Sequence, residues 1–226
     1  MKRSVYSLVL MDDVVREIDK AAYSMNTSRS NLINQILAEY VSCPTPEQRT
    51  RDIFDQVTQQ ILGVDSGEHT FQIQQQPSDA LLSLKSALRF KYNPTIKYNV
   101  ELYRGSDQVF GELRVSSRTQ SRQLLEYLED FYTRFAHLEL ECRQYYSQAS
   151  RQLEFQIEGG KFTRKFIMPS GSALTNQQLG SAIAWYIQMF DRMINLYFDR
   201  LSLQSDPSGE MRNLYRNYLE TAQWII

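Results

Sequence analysis

The chain is poor in the residues that build metal, redox and phosphate-binding sites. It has two cysteines, two histidines and nine glycines among 226 residues. Cys43 and Cys142 are far apart in the chain, which excludes a disulfide framework of the secreted kind. Neither His69 nor His137 has the spacing of a zinc site, and no phosphate loop, dinucleotide fingerprint or nucleophile elbow is present. The sequence therefore predicts no enzyme, no bound metal and no cofactor.

Long apolar runs and an excess of charge are also missing. Runs such as residues 5–11 are far shorter than the roughly 20 residues of a membrane helix, and no signal-peptide pattern is visible. The 25 basic and 26 acidic residues give a net charge of −1, which does not by itself indicate nucleic-acid binding. We therefore expect a globular, cytoplasmic protein with reduced cysteines and no membrane partner.

The first 43 residues change their apolar period once. Residues 3–10 contain β-branched and aromatic residues without glycine or proline, which predicts a strand. From Asp12 the spacing is helical, and Asp12 and Asp13 stand at the end where negative charge suits the helix dipole. Asn26 tolerates the left-handed conformation that ends helices. The apolar positions of this first helix are Val15, Ile18, Ala22 and Met25.

A second helix is predicted behind Ser28, because serine is a preferred N-cap residue. Its apolar positions are Leu32, Ile33, Ile36, Leu37, Tyr40 and Val41. A unit of this size rarely buries enough apolar surface to offset its ordering entropy, and a lone strand leaves both edges unpaired. We therefore expect a dimer in which the strands of two copies pair antiparallel over interlocked helices.

The paired strands would form a two-stranded ribbon with two different faces. Side chains alternate along a strand, so one set faces the shared core and the other faces outward. The inward set is Tyr6, Leu8 and Leu10. The outward set is Val5, Ser7 and Val9. A ribbon of this size fits the major groove of DNA.

These features resemble the ribbon-helix-helix family of bacterial DNA-binding proteins, the Arc/MetJ/CopG-like repressors. The resemblance is carried by SVYSLVL (4–10), DDVVREID (12–19) and NTSRSNLI (26–33) and covers 43 of the 226 residues. It implies that the outward ribbon residues contact bases, and that the start of the second helix contacts phosphate. The implied base-contacting residues are Arg3, Val5, Ser7 and Val9. The implied phosphate-contacting residues are Lys2, Ser28, Arg29 and Ser30, where the helix N-terminus also offers free N–H groups.

The sequence departs from the family pattern in three respects. Two of the three outward ribbon residues are valine, where the family usually exposes polar or basic side chains, and valine offers only apolar contact. Met11 occupies the slot before the first helix, which leaves Asp12 as its candidate cap. Residues 1–43 hold five bases and five acids, so the unit alone neutralises phosphate weakly.

Prolines mark the boundary of a second domain. Pro44 and Pro46 predict a short extended linker at 44–46. The sequence from Thr45 to Gln48 predicts a capping box with proline at the first helical position, and the helix behind it stops near Gly63. The predicted organisation is thus a ribbon-helix-helix module over 1–43, a linker over 44–46 and a domain over 47–226.

The second domain has the patterns of an α+β fold with an antiparallel sheet and long helices. Alternating segments within 68–116, one through Leu88, Phe90 and Tyr92 and another from Ile96 to Leu102, predict strands. Gly159-Gly160 predicts a hairpin. Heptad seams predict long helices over about 120–147 and through Leu179 to Tyr197, followed by a final helix from about 208. These seams fit intrachain packing or an additional dimer contact.

Two functions of different classes follow. The first is a dimeric, sequence-specific transcriptional regulator that binds double-stranded DNA, assembles as a dimer of dimers and carries a regulatory domain for an effector. An excess of five positive charges in residues 85–122 would extend the DNA contact, hold an anionic effector or simply be solvated. The alternative is a protein-interaction role, as in an antitoxin or a DNA-segregation adaptor, with the first module serving dimerisation.

Overall fold

The computed structural model describes residues 5–41, 43, 45–63, 71–74, 80–103, 109–146, 153–168 and 174–226. Within these residues the fold is α+β, with six helices and one six-stranded antiparallel sheet. The chain divides into two compact units, Met1–Arg49 and Thr50–Ile226. This division falls a few residues after the predicted linker at 44–46.

The first unit contains two helices, α1 (Asp12–Ser24) and α2 (Arg29–Tyr40). Between them Asn26 has a left-handed backbone with φ 51°, as predicted. Ser28 is the N-cap of α2, and its hydroxyl accepts a hydrogen bond of 3.2 Å from the Asn31 N–H. Both helices are therefore confirmed, together with the turn that joins them.

The start of α1 differs from the prediction. Met11 occupies the N-cap position, and no side chain caps the helix there. Asp12 is already helical, so the expectation that it serves as the cap is wrong. Asp12 and Asp13 instead lie in the first turn, where their charges favour the positive end of the helix dipole.

Residues 5–11 have no regular secondary structure in the single chain. The strand predicted over 3–10 is thus not formed within one copy. A strand is defined by hydrogen bonds to a neighbouring strand, and the strand pairs found among the described residues all belong to the second unit. Among the described residues, no strand pairs with residues 5–11.

Helix α3 (Pro46–Gly63) begins with the predicted capping box. The Thr45 N–H donates to Gln48 Oε1 at 2.8 Å, and the Gln48 N–H donates to Thr45 Oγ1 at 3.1 Å. The side chains that α3 buries are Ile53, Phe54, Val57 and Ile61.

The second unit is built on the sheet, whose spatial order is β1-β2-β3-β4-β6-β5 with antiparallel neighbours throughout. Its strands are β1 (Gln72–Gln74), β2 (Leu81–Ala87), β3 (Thr95–Leu102), β4 (Val109–Ser117), β5 (Phe155–Glu158) and β6 (Lys161–Ile167). The alternation predicted for β3 is confirmed. Its buried side chains are Ile96, Tyr98, Val100 and Leu102.

Three helices supply most of the remaining core: α4 (Arg122–Tyr146), α5 (Asn176–Ser202) and α6 (Ser208–Thr221). The seam residues of α4 from Leu124 to Cys142, and those of α5 from Leu179 to Tyr197, are buried within the single chain. Intrachain packing therefore accounts for these two heptad patterns; Tyr145 of the predicted seam lies outside the described side chains. Among the described helices, none is both long and apolar enough to cross a membrane.

The hairpin between β5 and β6 is confirmed. Gly159 and Gly160 have φ values of 57° and 70°, a backbone that glycine adopts without a Cβ penalty. The Gly160 N–H donates to Glu129 Oε1 of α4 at 3.0 Å, which joins the hairpin to the helix.

The strand predicted through Leu88, Phe90 and Tyr92 is wrong. β2 ends at Ala87, and the chain then turns back to β3, with the Asn93 N–H bonded to the Phe90 carbonyl at 2.8 Å. Tyr92 and Asn93 are left-handed, at φ 65° and 44°. The alternation was misleading because Leu88 and Phe90 pack against the core from a turn.

Candidate nucleic-acid interface

The first unit leaves most of its apolar side chains exposed. Among the described residues, thirteen of the sixteen exposed large apolar side chains lie in residues 5–41. Ala22 and Leu32 are the two buried residues of that segment. The exposed set is Val5, Tyr6, Leu8, Val9, Leu10, Met11, Val14, Tyr23, Met25, Ile36, Leu37, Tyr40 and Val41.

Exposure along residues 5–10 follows the predicted alternation in part. Val5 and Val9, predicted to face outward, are 100% and 102% exposed. Leu8 and Leu10, predicted to face the shared core, are 59% and 38% exposed. Tyr6 departs from the pattern at 84%. Ser7 is exposed as well, whereas Lys2 and Arg3 lie outside the described residues.

The start of α2 is accessible to an anion. Ser28, Arg29 and Ser30 are exposed. The Ser28 hydroxyl is engaged with the Asn31 N–H, but the N–H groups of Arg29 and Ser30 are in the first turn and have no acceptor within the helix. These groups and the helix dipole favour a bound phosphate oxygen.

The Arg29 side chain has a partner that the sequence did not reveal. Its Nε donates to Asp19 Oδ1 at 2.5 Å, and an Nη donates to the other carboxylate oxygen. The hydrogen bond from Arg29 lowers the pKa of Asp19, and the hydrogen bond to Asp19 raises the pKa of Arg29. Asp19 is ten residues away, across the turn, so only the antiparallel return of α2 along α1 brings the two together. The guanidinium expected at phosphate is thus neutralised within the chain.

The basic excess of residues 85–122 is divided among several places in the second unit. Lys85, Lys97 and Arg114 lie on the sheet face opposite the buried row of β3, with Lys85 and Lys97 directly opposite each other on neighbouring strands. Arg89 and Lys91 lie in the turn after β2. The others are Arg118 before α4, Arg122 at its start, and Arg104, which lies outside the described residues.

Acidic side chains neutralise part of this sheet face. Arg114 pairs with Glu101 at 3.1 Å and with Glu112, and Lys165 also donates to Glu112. Burial raises the pKa of Glu112, but the hydrogen bonds from Lys165 and Tyr103 outweigh it and the net pKa is lowered. The positive charges of Arg114 and Lys165 are therefore balanced by carboxylates within the same cluster.

A second ionic cluster is buried between the sheet and the helices. Arg164 and Glu139 are both fully buried, with Nη2 and Oε1 2.9 Å apart. The Tyr186 hydroxyl donates to the other Glu139 oxygen at 2.9 Å. Arg164 and Arg143 both donate to the main-chain oxygen of Ile226. The alternation of β6 places residue 164 on the core side with Phe162 and Phe166, and this period is the sequence signal for a buried arginine.

No family model, curated protein or solved structure matches the chain. In the part of the chain that the structure describes, no three His, Cys, Asp or Glu side chains are grouped to hold a metal ion. Cys142 is buried and Cys43 is exposed.

Proposed function

We propose that the chain is a dimeric, sequence-specific DNA-binding regulator. Two copies would pair their segments 3–10 into an antiparallel ribbon that enters the major groove, and the second unit would arrange dimers side by side and respond to an effector. The observation that carries this proposal is the open apolar surface of residues 5–41.

This surface fits a second copy of the same unit. Two buried residues cannot offset the ordering of two helices and a strand, whereas interlocked copies would cover each other's apolar side chains. The partial alternation of residues 5–10 supports a strand already set for such pairing, with Leu8 and Leu10 turned toward the covered side. A symmetric pair also gives one edge of each strand a hydrogen-bonding partner.

The polar side of the same unit supports a DNA partner. Ser7 is exposed between the two outward valines, so the ribbon offers one hydroxyl to a base edge and two apolar surfaces to thymine methyl groups. The first turn of α2 offers the N–H groups of Arg29 and Ser30 to phosphate. Lys2 and Arg3 would add charge beside the ribbon.

The second unit supports a regulator rather than an antitoxin. An antitoxin segment that folds on its toxin lacks a core of its own, whereas residues 50–226 bury whole rows of side chains from α4, α5 and the sheet. Such a unit can assemble dimers, and two weak contacts joined in one particle bind DNA with avidity.

One observation favours the protein-interaction role. The ion pair of Arg29 with Asp19 removes a positive charge from the expected phosphate contact. A segregation adaptor that uses the first unit only to dimerise would need no free cation there.

Affinity selection of random duplex DNA by the full chain tests the proposal. We expect a repeated or palindromic motif, whose half-site spacing gives the number of dimers. Leu8→Glu places a charge in the core of the proposed dimer. The variant should sediment as a monomer and should not select the DNA motif. Leu203→Glu, a change at an exposed leucine of the second unit, should alter neither result. No motif from a folded dimer contradicts DNA recognition, and a Leu8→Glu dimer contradicts the ribbon interface.

A further inference from the structure

The second unit contains a cleft of about 700 Å³ between the turn after β2, the start of α4 and the end of α5. This volume lies within the range of small-molecule sites. Among the residues that the structure describes, the lining includes two bases and no acid: Arg89, Phe90, Lys91, Asn93, Gln123, Tyr127, Leu201, Ser202 and Gln204.

The lining combines an apolar floor with a polar rim. Phe90, Tyr127 and Leu201 are half-buried, and the rings of Phe90 and Tyr127 meet edge to face with centroids 6.0 Å apart. Arg89 and Lys91 are exposed at the rim. An aromatic floor suits a planar ring, and two cations beside it suit an anionic group.

A buried polar network holds the turn that carries both cations. The Arg89 N–H donates to Asn195 Oδ1 at 2.9 Å, and Asn195 Nδ2 donates to the Asp191 carbonyl at 2.9 Å. The Asp191 carboxylate accepts hydrogen bonds from the hydroxyls of Tyr98 and Ser86. Satisfied buried networks fix the groups they hold, so the main chain of this turn is held at Arg89.

One residue beside the cleft has a strained backbone. Three of the four described residues other than glycine with positive φ line or adjoin the cleft: Tyr92, Asn93 and Gln204. Asparagine tolerates this conformation, and Gln204 follows the C-cap of α5, where it is common. Tyr92 is a bulky residue, and its side chain is fully exposed, so packing of its ring does not explain its left-handed backbone; outliers of this kind are found at ligand sites.

We propose that this cleft binds a small organic phosphate that carries a planar ring, the chemistry of a nucleoside monophosphate. The phosphate lies at Arg89 and Lys91, and the ring lies against Tyr127 and Phe90. Asn93 and Gln204 add side-chain amides to the lining, and the Gln123 Nε2 donates to the Tyr127 hydroxyl at 3.0 Å, which holds that ring at the floor of the cleft. The site would make the second unit an effector domain, and its occupancy does not depend on DNA binding by the first unit.

Calorimetric titration of the full chain with AMP, GMP, CMP and UMP tests the proposal in the absence of DNA. We expect at least one nucleotide to bind, and adenosine and inorganic phosphate, used as the two halves of AMP, to bind at least tenfold more weakly. A chain that binds none of the four nucleotides more tightly than inorganic phosphate overturns the proposal.

Four variants locate the binding. Arg89→Gln and Lys91→Gln would each remove a charge-assisted contact to the phosphate. Each should lower the affinity for the nucleotide by about tenfold or more. Lys97→Gln makes the same change on the open face of the sheet and should have no effect. Tyr127→Leu should lower the affinity for the nucleotide and leave the affinity for inorganic phosphate unchanged. Equal nucleotide affinity in all four variants, with unchanged thermal melting, places the binding elsewhere and overturns the site.

Discussion

Arg29 at the first position of α2 donates two hydrogen bonds to Asp19 of α1. The pair crosses the turn of the first unit and fixes one helix against the other, at the position where the family resemblance implies a phosphate contact. In the proposed DNA complex, the Asp19 carboxylate and the DNA backbone would therefore compete for the Arg29 guanidinium.

This competition predicts opposite effects for the two partners. Arg29→Ala should weaken binding to all DNA sequences alike and reduce the salt slope by about one. Asp19→Asn should release the guanidinium, strengthen binding and steepen the slope. Titrations across a salt series measure both; Lys20→Ala, which breaks an exposed pair with Glu17 within α1, gives the reference. Unchanged affinity in Arg29→Ala would remove this residue from the interface.

Ser7 is predicted to read bases rather than phosphate. Ser7→Ala removes the one hydroxyl of the outward ribbon face, so the preferred DNA sequence should change while the salt slope stays the same. Repeating the selection with the variant checks this. Ser24→Ala at the end of α1 should retain the original motif. A Ser7→Ala protein that selects the original site would show that this hydroxyl contacts no base.

Helices α3 and α5 approach closely at Gly180. A Cβ on this residue would lie 2.6 Å from the Gln56 Cβ and 2.8 Å from the Ile53 carbonyl oxygen. Gly180→Ala should therefore lower the free energy of unfolding by about 1–3 kcal/mol. Urea denaturation measures the loss. Gly209→Ala in α6, where nothing lies within 4 Å of the added carbon, should be neutral or stabilising; equal stability of both variants would contradict the close approach.

The Glu112 cluster predicts how stability depends on acid. The folded state lowers the pKa of Glu112 below its ordinary value of 4.5. Its contribution is therefore complete above pH 4.5 and is lost as the pH falls through the lower folded value. Glu112→Gln should flatten the fall in unfolding free energy in urea titrations between pH 6 and 3. Glu220→Gln, at an exposed position of α6, should keep the parent profile, and a parent profile in Glu112→Gln would exclude the cluster as its source.

Local chemistry made much of the fold predictable. Ser28, Thr45 and Asn26 act through hydrogen bonds and backbone preferences that involve only their near neighbours, so their positions in the chain were enough to place them. The buried faces of α4 and α5 were equally predictable, because apolar residues at a heptad spacing fall on one face of a helix whatever that face packs against.

The predictions that failed concern residues whose structure depends on what they contact in the folded protein. Alternation at Leu88 and Phe90 resembled a strand because a turn can also bury two side chains on one side. The pairing of Arg29 with Asp19 needed the packing angle of two helices, which spacing does not encode. For residues 5–10 the sequence pattern describes a surface that one copy cannot cover, so a single chain leaves the predicted strand unformed.

The hydrogen bonds of Arg143 and Arg164 to the Ile226 main-chain oxygen form late during synthesis. Arg143 and Arg164 cannot complete their hydrogen bonds until residue 226 has left the ribosome, whereas residues 5–49 emerge on the order of 10 s earlier at ordinary translation rates. The first unit is thus exposed while the second core is still unfinished. In the proposed dimer, the apolar surface of residues 5–41 would therefore be available to a second copy before the core of residues 50–226 is complete.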